Sequence, residues 1–199
     1  MEPIPIGIDC KFLFVRQLQA WLFEGIPVAS TAAFKEAHYD MESKAKLVGH
    51  PLHPMLVVFP LGLLVTSIVF DCIHRKTKKE DPAKVAHAMI GAGVLSGVLA
   101  ALPGIIDWMA IPHGTRAKQI GLWHGGGNVL VLLLFGLSWL QRRRDPAHPS
   151  NSALALSVAG VLLGNGTAWL GGELVHRLNV SVDEGAHLDA PNSLIEHAA

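Results

Sequence analysis

The chain of 199 residues is apolar and electrically balanced. Half of its residues are hydrophobic, 16% are charged, and its 16 basic residues equal its 16 acidic ones. A soluble domain usually carries about 25% charged residues. The balance argues against a nucleic-acid-binding protein, because that class has a basic surface. Two cysteines are too few for a disulfide framework or a cysteine-rich metal site.

The N-terminal segment, residues 1–47, mixes apolar and polar side chains. In residues 10–24, Lys11, Arg16 and two glutamines interrupt the apolar residues, so this stretch is too polar and too short to span a bilayer. The pattern predicts an amphipathic helical segment that lies in the membrane interface. Docking of the same segment against the rest of the protein is the alternative.

Four later stretches, at 54–73, 85–106, 125–140 and 152–172, contain no Asp, Glu, Lys or Arg except Asp71. Each is close to the ~20 residues that cross ~30 Å of hydrocarbon, and none has the polar face of a soluble helix. We therefore predict an all-α fold, a four-helix transmembrane bundle over residues 48–182 followed by a flexible tail, 183–199. Asp71 is expected to pair with Arg75, four residues further on.

The basic residues indicate an orientation. The loops after the first and third spans hold eight Lys and Arg, whereas the opposite loop and the residues after the fourth span hold three. Loops rich in Lys and Arg stay in the cytoplasm. The expected location is a bacterial inner membrane, with several spans and both termini in the periplasm.

Small and polar residues inside the spans have two interpretations. Gly93 and Gly97 in the second span, like Gly160 and Gly164 in the fourth, are four apart and lie on one helix face. Such faces permit close helix packing, or they leave room for a flat cofactor. Asn128 is a polar group in an apolar span, where it either bonds a neighbouring helix or belongs to a site.

Histidines and carboxylates collect where the four predicted spans reach the outer face. The topology brings at least one ligand-type residue from every span to this end. The candidate metal ligands are His50, His53, Asp107, His124, Glu173 and His176. The candidate cofactor-binding residues are His53, His124, His176 and Asn128.

Three interpretations of this cluster remain open. A Zn, Cu or Fe ion could be held by His53, His124 and His176, with Asp107 or Glu173 close by, because imidazole is the commonest metal ligand. Haem b needs only two imidazoles on opposite helices and an apolar slot. The third interpretation is a hydrogen-bond network without any cofactor.

The motif G-H-P-L-H-P-M-L-V-V-F-P-L-G (49–62), together with Asp71, Asp107, His124 and G-G-E-L-V-H-R (171–177), resembles the four-helix membrane proteins of domain-of-unknown-function family 2231. The resemblance covers residues 48–182 and brings no settled activity. It implies a redox setting, because some relatives are joined to Rieske-type iron–sulfur modules. This chain lacks the Cys-His pairs of such a module.

The expected function is membrane electron transfer through haem b or a single transition-metal ion, with a Rieske-type or cytochrome-type redox protein as partner besides the lipid bilayer. The alternative is a non-catalytic accessory or structural subunit of a larger membrane complex, whose histidine cluster is structural. An enzyme that uses a histidine-bound metal is a third possibility without a recognisable substrate pocket. No nucleic-acid partner is expected.

Overall fold

The computed structural model of this chain describes residues 41–190 and 192–193. The predicted interfacial segment, up to residue 40, lies outside the described residues. The described part is all-α apart from one antiparallel pair of two-residue strands, which pairs Lys46 with Pro51 and Leu47 with His50. The elements are β1 (Lys46–Leu47), β2 (His50–Pro51), α1 (Leu52–Thr77), α2 (Glu80–Ala110), α3 (Arg116–Arg142) and α4 (Asn151–His176).

The four helices form two hairpins. α1 packs along α2 and α3 packs along α4, whereas α2 touches α3 less extensively and α1 only just reaches α4. This order places α1 and α3 diagonally across the bundle. The chain before α1 and the chain after α4 meet at one end, where the Ser181 amide donates to the Met41 carbonyl at 2.7 Å. The α1–α2 and α3–α4 turns, with their basic residues, lie at the opposite end.

All four helices are long and apolar enough to cross a bilayer, and each of them contains one of the predicted spans. In the most apolar part of each helix, only 17% to 28% of the residues are buried inside the protein. Large hydrophobic side chains therefore cover the outside, as they do in a protein whose solvent is lipid. The prediction of an all-α four-helix bundle is confirmed.

Glycines bring the two helices of each hairpin together in the middle of the bundle. A Cβ atom added to Gly93 would lie 2.6 Å from Leu64 Cδ2, and one added to Gly160 would lie 2.7 Å from Phe135 Cε2. Leu64 and Phe135, with Ile90 and Val131, form the buried core. Both glycines thus serve close packing of an apolar neighbour, as small residues commonly do between membrane helices.

The two hairpins pack in the same way. Gly93 of α2 receives Leu64 of α1, and Gly160 of α4 receives Phe135 of α3. Inward-facing residues of α1 and α3 also recur at equal intervals along the two helices. The matched pairs are His53 and His124, Leu64 and Phe135, Ser67 and Ser138, and Asp71 and Arg142. The two hairpins therefore match at these positions, which favours an internal repeat of one helical hairpin.

Candidate functional site: a histidine pair at one end of the bundle

His53 lies in the first turn of α1 and binds the backbone of α2. Its Nδ1 donates to the carbonyl oxygen of Ala100 at 2.8 Å. The ring lies against Gly104, one turn further along α2, where an added Cβ would come within 2.8 Å of Nδ1. The absence of a side chain at Gly104 is therefore what lets the imidazole reach the α2 backbone.

His124 of α3 repeats this arrangement on α4. Its Nδ1 donates to the carbonyl oxygen of Thr167 at 2.8 Å. Gly171 follows Thr167 by one turn, and a Cβ there would lie 3.0 Å from the Cε1 atom of His124. Each hairpin thus carries one histidine that crosses to its partner helix over a glycine.

The two imidazoles face each other across the diagonal of the bundle. Their ring centres are 6.2 Å apart and their planes are nearly perpendicular, at 87°. A carbonyl oxygen only accepts hydrogen bonds, so Nδ1 of each ring carries a proton. In the neutral form, Nε2 of His53 and of His124 therefore keeps its lone pair, which is the form of imidazole that binds metals.

Asn128 fixes the environment of His124. Its Nδ2 donates to the backbone oxygen of His124 at 2.9 Å and lies 3.3 Å from His124 Nε2. Its Oδ1 accepts from the Thr167 hydroxyl at 3.0 Å. The amide thus joins α3 to α4 beside the ring, which is the helix-bonding interpretation of this residue. Its membership of a cofactor site stays a prediction.

Asp107 binds the segment that enters the bundle rather than the histidines. Its carboxylate accepts from the backbone amides of Lys44 at 2.8 Å and Ala45 at 3.2 Å, and from the Ser43 hydroxyl at 2.9 Å. The Ser181 hydroxyl adds a longer contact of 3.4 Å. This buried carboxylate therefore holds the chain before α1, and also touches the chain after α4, at the end of α2.

The other predicted ligands also have separate contacts. Glu173 accepts from the Arg116 guanidinium at 2.6 Å, His176 is exposed, and His50 lies 3.2 Å from the Ser193 hydroxyl. Within residues 41–190 and 192–193, no group of three or more His, Cys, Asp or Glu side chains is arranged to hold a metal ion. Of the predicted set, the structure brings together only His53, His124 and Asn128.

The opposite end of the bundle holds a contact that the sequence did not predict. Arg142 binds Asp71 through two parallel hydrogen bonds of 2.7 and 2.8 Å, and both residues are buried. Two further donors of Arg142 reach Ser138 and Ser157, each at 3.2 Å. The expected pair of Asp71 with Arg75 is wrong, because Arg75 extends outward and donates to Asn151.

The family pattern described as predicted membrane protein (DUF2231) matches residues 49–184. The chain belongs to this family. No curated protein and no solved structure matches it significantly. The matched region of this DUF2231 chain includes the histidine pair and the buried ion pair.

A signal for the buried pair is nevertheless present in the DUF2231 sequence. Arg142 follows His124 at the same interval at which Asp71 follows His53. Comparison of α1 with α3 as two copies of one helix would have placed these opposite charges at one level on diagonal helices. The i, i+4 rule instead favoured Arg75, because it considers only neighbours on the same helix.

Proposed function

We propose that this DUF2231 protein is a membrane electron-transfer protein that binds one haem b between His53 and His124. The observation that carries the proposal is the pair of imidazoles on diagonal helices, each fixed through Nδ1 to a backbone carbonyl at 2.8 Å. Nε2 of His53 would be one ligand of the haem, and Nε2 of His124 would be the other in place of its present contact with Asn128 Nδ2 at 3.3 Å.

The separation of the two rings fits this role. His53 and His124 would hold the haem between them, since metal–imidazole bonds of about 2 Å require two rings that lie close together. The rings of His53 and His124 are 6.2 Å apart. Haem supplies the other four nitrogen ligands itself, so two histidines suffice. A bare ion would need further protein ligands, and the neighbouring Asp107 and Glu173 are engaged elsewhere.

The residues around the pair would tune and orient the ligands. A hydrogen bond from Nδ1 to a carbonyl fixes the tautomer and raises the basicity of the ligating nitrogen. Asn128 and Thr167 hold the His124 side of the site. Glycine at 104 and 171 leaves room for each ring beside its neighbouring helix. The haem, when bound, would supply reversible one-electron chemistry.

The location of the pair suggests where electrons would be exchanged. His53 and His124 lie at the end where Met41 meets Ser181, opposite the basic turns. We place this end in the periplasm of a bacterial inner membrane, because Lys and Arg favour the cytoplasmic side. The electron donor or acceptor is then a periplasmic or membrane-bound redox protein of the Rieske or cytochrome type.

The test is the absorption spectrum of the purified full-length protein after expression with a haem supply. We expect a Soret band and one haem b per chain. His53→Ala and His124→Ala should each remove the band, because each removes one axial ligand. His176→Ala is the matched control, since His176 is an exposed histidine at the same end, and it should keep the band.

Two results would contradict the proposal. The first is a folded wild-type protein that shows no Soret band even after reconstitution with excess haem. The second is a stoichiometric Zn, Cu or Fe content without haem, which would favour a bare metal ion. Elemental analysis of the same sample separates these two cases.

A second candidate function is that of a non-catalytic subunit of a larger membrane complex. The observation that favours it is that both imidazoles already join two helices, through Ala100 and Thr167. In this case, neither haem nor metal copurifies, and His53→Ala and His124→Ala lower only the thermal stability. Copurification of another membrane protein in stoichiometric amount would then support the subunit role.

A further inference from the structure

A surface cavity of about 620 Å³, open to its surroundings and lined by exposed residues, lies at the end of the bundle opposite the histidine pair. Leu140, Gln141, Arg143 and Arg144 line it, at the point where α3 ends and the turn to α4 begins. It therefore lies where the apolar part of α3 gives way to charged residues. In a membrane, this is the level of the lipid headgroups.

Among the described residues that line this cavity, Gln141, Arg143 and Arg144 can donate hydrogen bonds into it. The Oε1 atom of Gln141 accepts from the hydroxyls of Ser150 at 3.2 Å and Ser152 at 2.8 Å. Its acceptor is therefore engaged, and the Nε2 amide is available to donate to a ligand. The guanidinium of Arg143 lies over the Trp139 ring, 5.8 Å from its centre, which restrains this side chain near the cavity.

No acidic side chain in the described residues forms an ion pair with Arg143 or Arg144. The carboxylate next in sequence, Asp145, is 3.0 Å from the Nδ1 atom of His148. Two uncompensated guanidinium groups and one amide donor around a single cavity form a suitable environment for an anion. Guanidinium groups bind phosphate oxygens through paired hydrogen bonds.

An apolar surface continues from the cavity along α3. Leu133, Leu137 and Leu140 recur at intervals of four and three residues, so they lie on one face of the helix. All three are more than half exposed. An acyl chain attached to a phosphate in the cavity could lie along this surface, whereas free phosphate would make no use of it.

We propose that the cavity binds the phosphate of an anionic phospholipid, with Arg143, Arg144 and Gln141 as donors and the exposed leucines of α3 as contacts for an acyl chain. The lipid class is a phosphodiester headgroup without a compensating cation, such as phosphatidylglycerol. The proposal is independent of haem, because the cavity lies at the other end of the bundle.

The test is binding of phosphatidylglycerol and phosphatidylcholine to the purified full-length protein in mixed micelles, measured by native mass spectrometry. We expect preferential retention of phosphatidylglycerol by the wild type. Arg143→Gln with Arg144→Gln should weaken that retention about tenfold or more, because it removes both guanidinium groups that would bind the phosphate through paired hydrogen bonds. Lys76→Gln with Lys78→Gln removes the same charge at the same end and should weaken it less than about threefold.

Further variants distinguish lipid binding in the cavity from attraction by the general surface charge. Arg143→Lys with Arg144→Lys keeps the charge but removes the paired hydrogen bonds, and should fall between the wild type and the glutamine variant. Leu137→Asn should weaken retention of the lipid without altering the binding of inorganic phosphate. Intrinsic tryptophan fluorescence on heating confirms that each variant is folded.

Three outcomes would overturn the proposal: equal retention of the two lipids by the wild type, equal losses in the arginine and lysine variants, or complete displacement of the lipid by inorganic phosphate at a matched concentration. The first denies a preference, the second assigns it to the general surface potential, and the third assigns the cavity to free phosphate.

Discussion

The two ends of the bundle use matched positions of α1 and α3 for opposite purposes. At one end, His53 and His124 each bind the second helix of their own hairpin, through Ala100 and Thr167. At the other end, Asp71 and Arg142 bind each other and so join one hairpin to the other. The two histidines therefore do not bond one hairpin to the other, whereas the charged pair does. At the histidine end the hairpins are joined by other residues, such as Trp108 of α2 and Lys118 of α3.

The difference has a physical basis in what each pair can satisfy internally. Arg142 and Asp71 are buried in an apolar part of the molecule, where an unpaired charge is very unfavourable. The bidentate geometry and the two serine contacts satisfy four of the N–H groups of Arg142. Each neutral imidazole donates to only one carbonyl, so its second nitrogen can accept a ligand, which at His124 would replace the contact with Asn128. The charged pair is thus satisfied within the protein, whereas each imidazole has a second nitrogen that does not bond a backbone carbonyl.

The largest expected effect is loss of the buried ion pair. Asp71→Asn and Arg142→Met should each lower the free energy of unfolding by about 3–5 kcal/mol, because each leaves a buried charge without its partner. The measurement is equilibrium unfolding in detergent. Asp81→Asn is the control: its side chain is 93% exposed at the same end, and its loss should have little effect.

Reversal of the same pair tests the internal repeat. If α1 and α3 are equivalent, Asp71→Arg with Arg142→Asp should recover part of the stability that either single change removes. Recovery should be incomplete, because Ser67 matches Ser138 but Ile90 occupies the position that matches Ser157. No recovery at all would show that the two helices are not equivalent at this level.

The next largest expected effect is a loss of stability in residues 43–45, which Asp107 binds at the histidine end. Asp107→Asn should lower stability by about 1.5–3 kcal/mol, because the carboxylate accepts hydrogen bonds from Ser43, Lys44 and Ala45 as a charged group. Amide hydrogen exchange should rise in residues 43–45 and stay unchanged around Arg142. A uniform increase along the chain would contradict the view that the two ends are held separately.

The glycines beneath the histidines should have a similar or smaller effect. Gly104→Ala and Gly171→Ala should each cost about 1–3 kcal/mol, because the new methyl group would displace His53 or His124. Gly62→Ala is the control, since nothing lies within 4 Å of a Cβ at that position, and alanine should slightly favour the helix there. Thermal unfolding compares the three variants, and equal effects would refute the close contact.

The smallest effect is a gain of stability near the ion pair. His87 stacks on Trp139 with ring centres 5.3 Å apart, and its Nδ1 atom is buried without a hydrogen-bond partner in the described part of the chain. His87→Phe should keep the stacking and remove the unpaired nitrogen, raising the free energy of unfolding by about 1 kcal/mol. A loss of stability would mean that the nitrogen has a favourable contact.

The four spans could be predicted because lipid requires long apolar segments whose backbone groups bond within the helix. The gathering of candidate ligands at one end followed from the topology alone. The direction in which each side chain points about its helix axis did not follow, because almost every face of these helices is apolar. Glu173 and His176 therefore lie at the same end of the bundle as His53, but they are not part of the histidine pair.

The sequence by itself determined the number of spans, the family and the end of the bundle at which the histidines lie. Only the tertiary structure decided the partners: His53 with Ala100, His124 with Thr167 and Asp71 with Arg142. The reason is that hydropathy reports the depth of a residue in the membrane, whereas a partner depends on helix rotation. Rotation is set here by where glycine lets a neighbouring side chain approach.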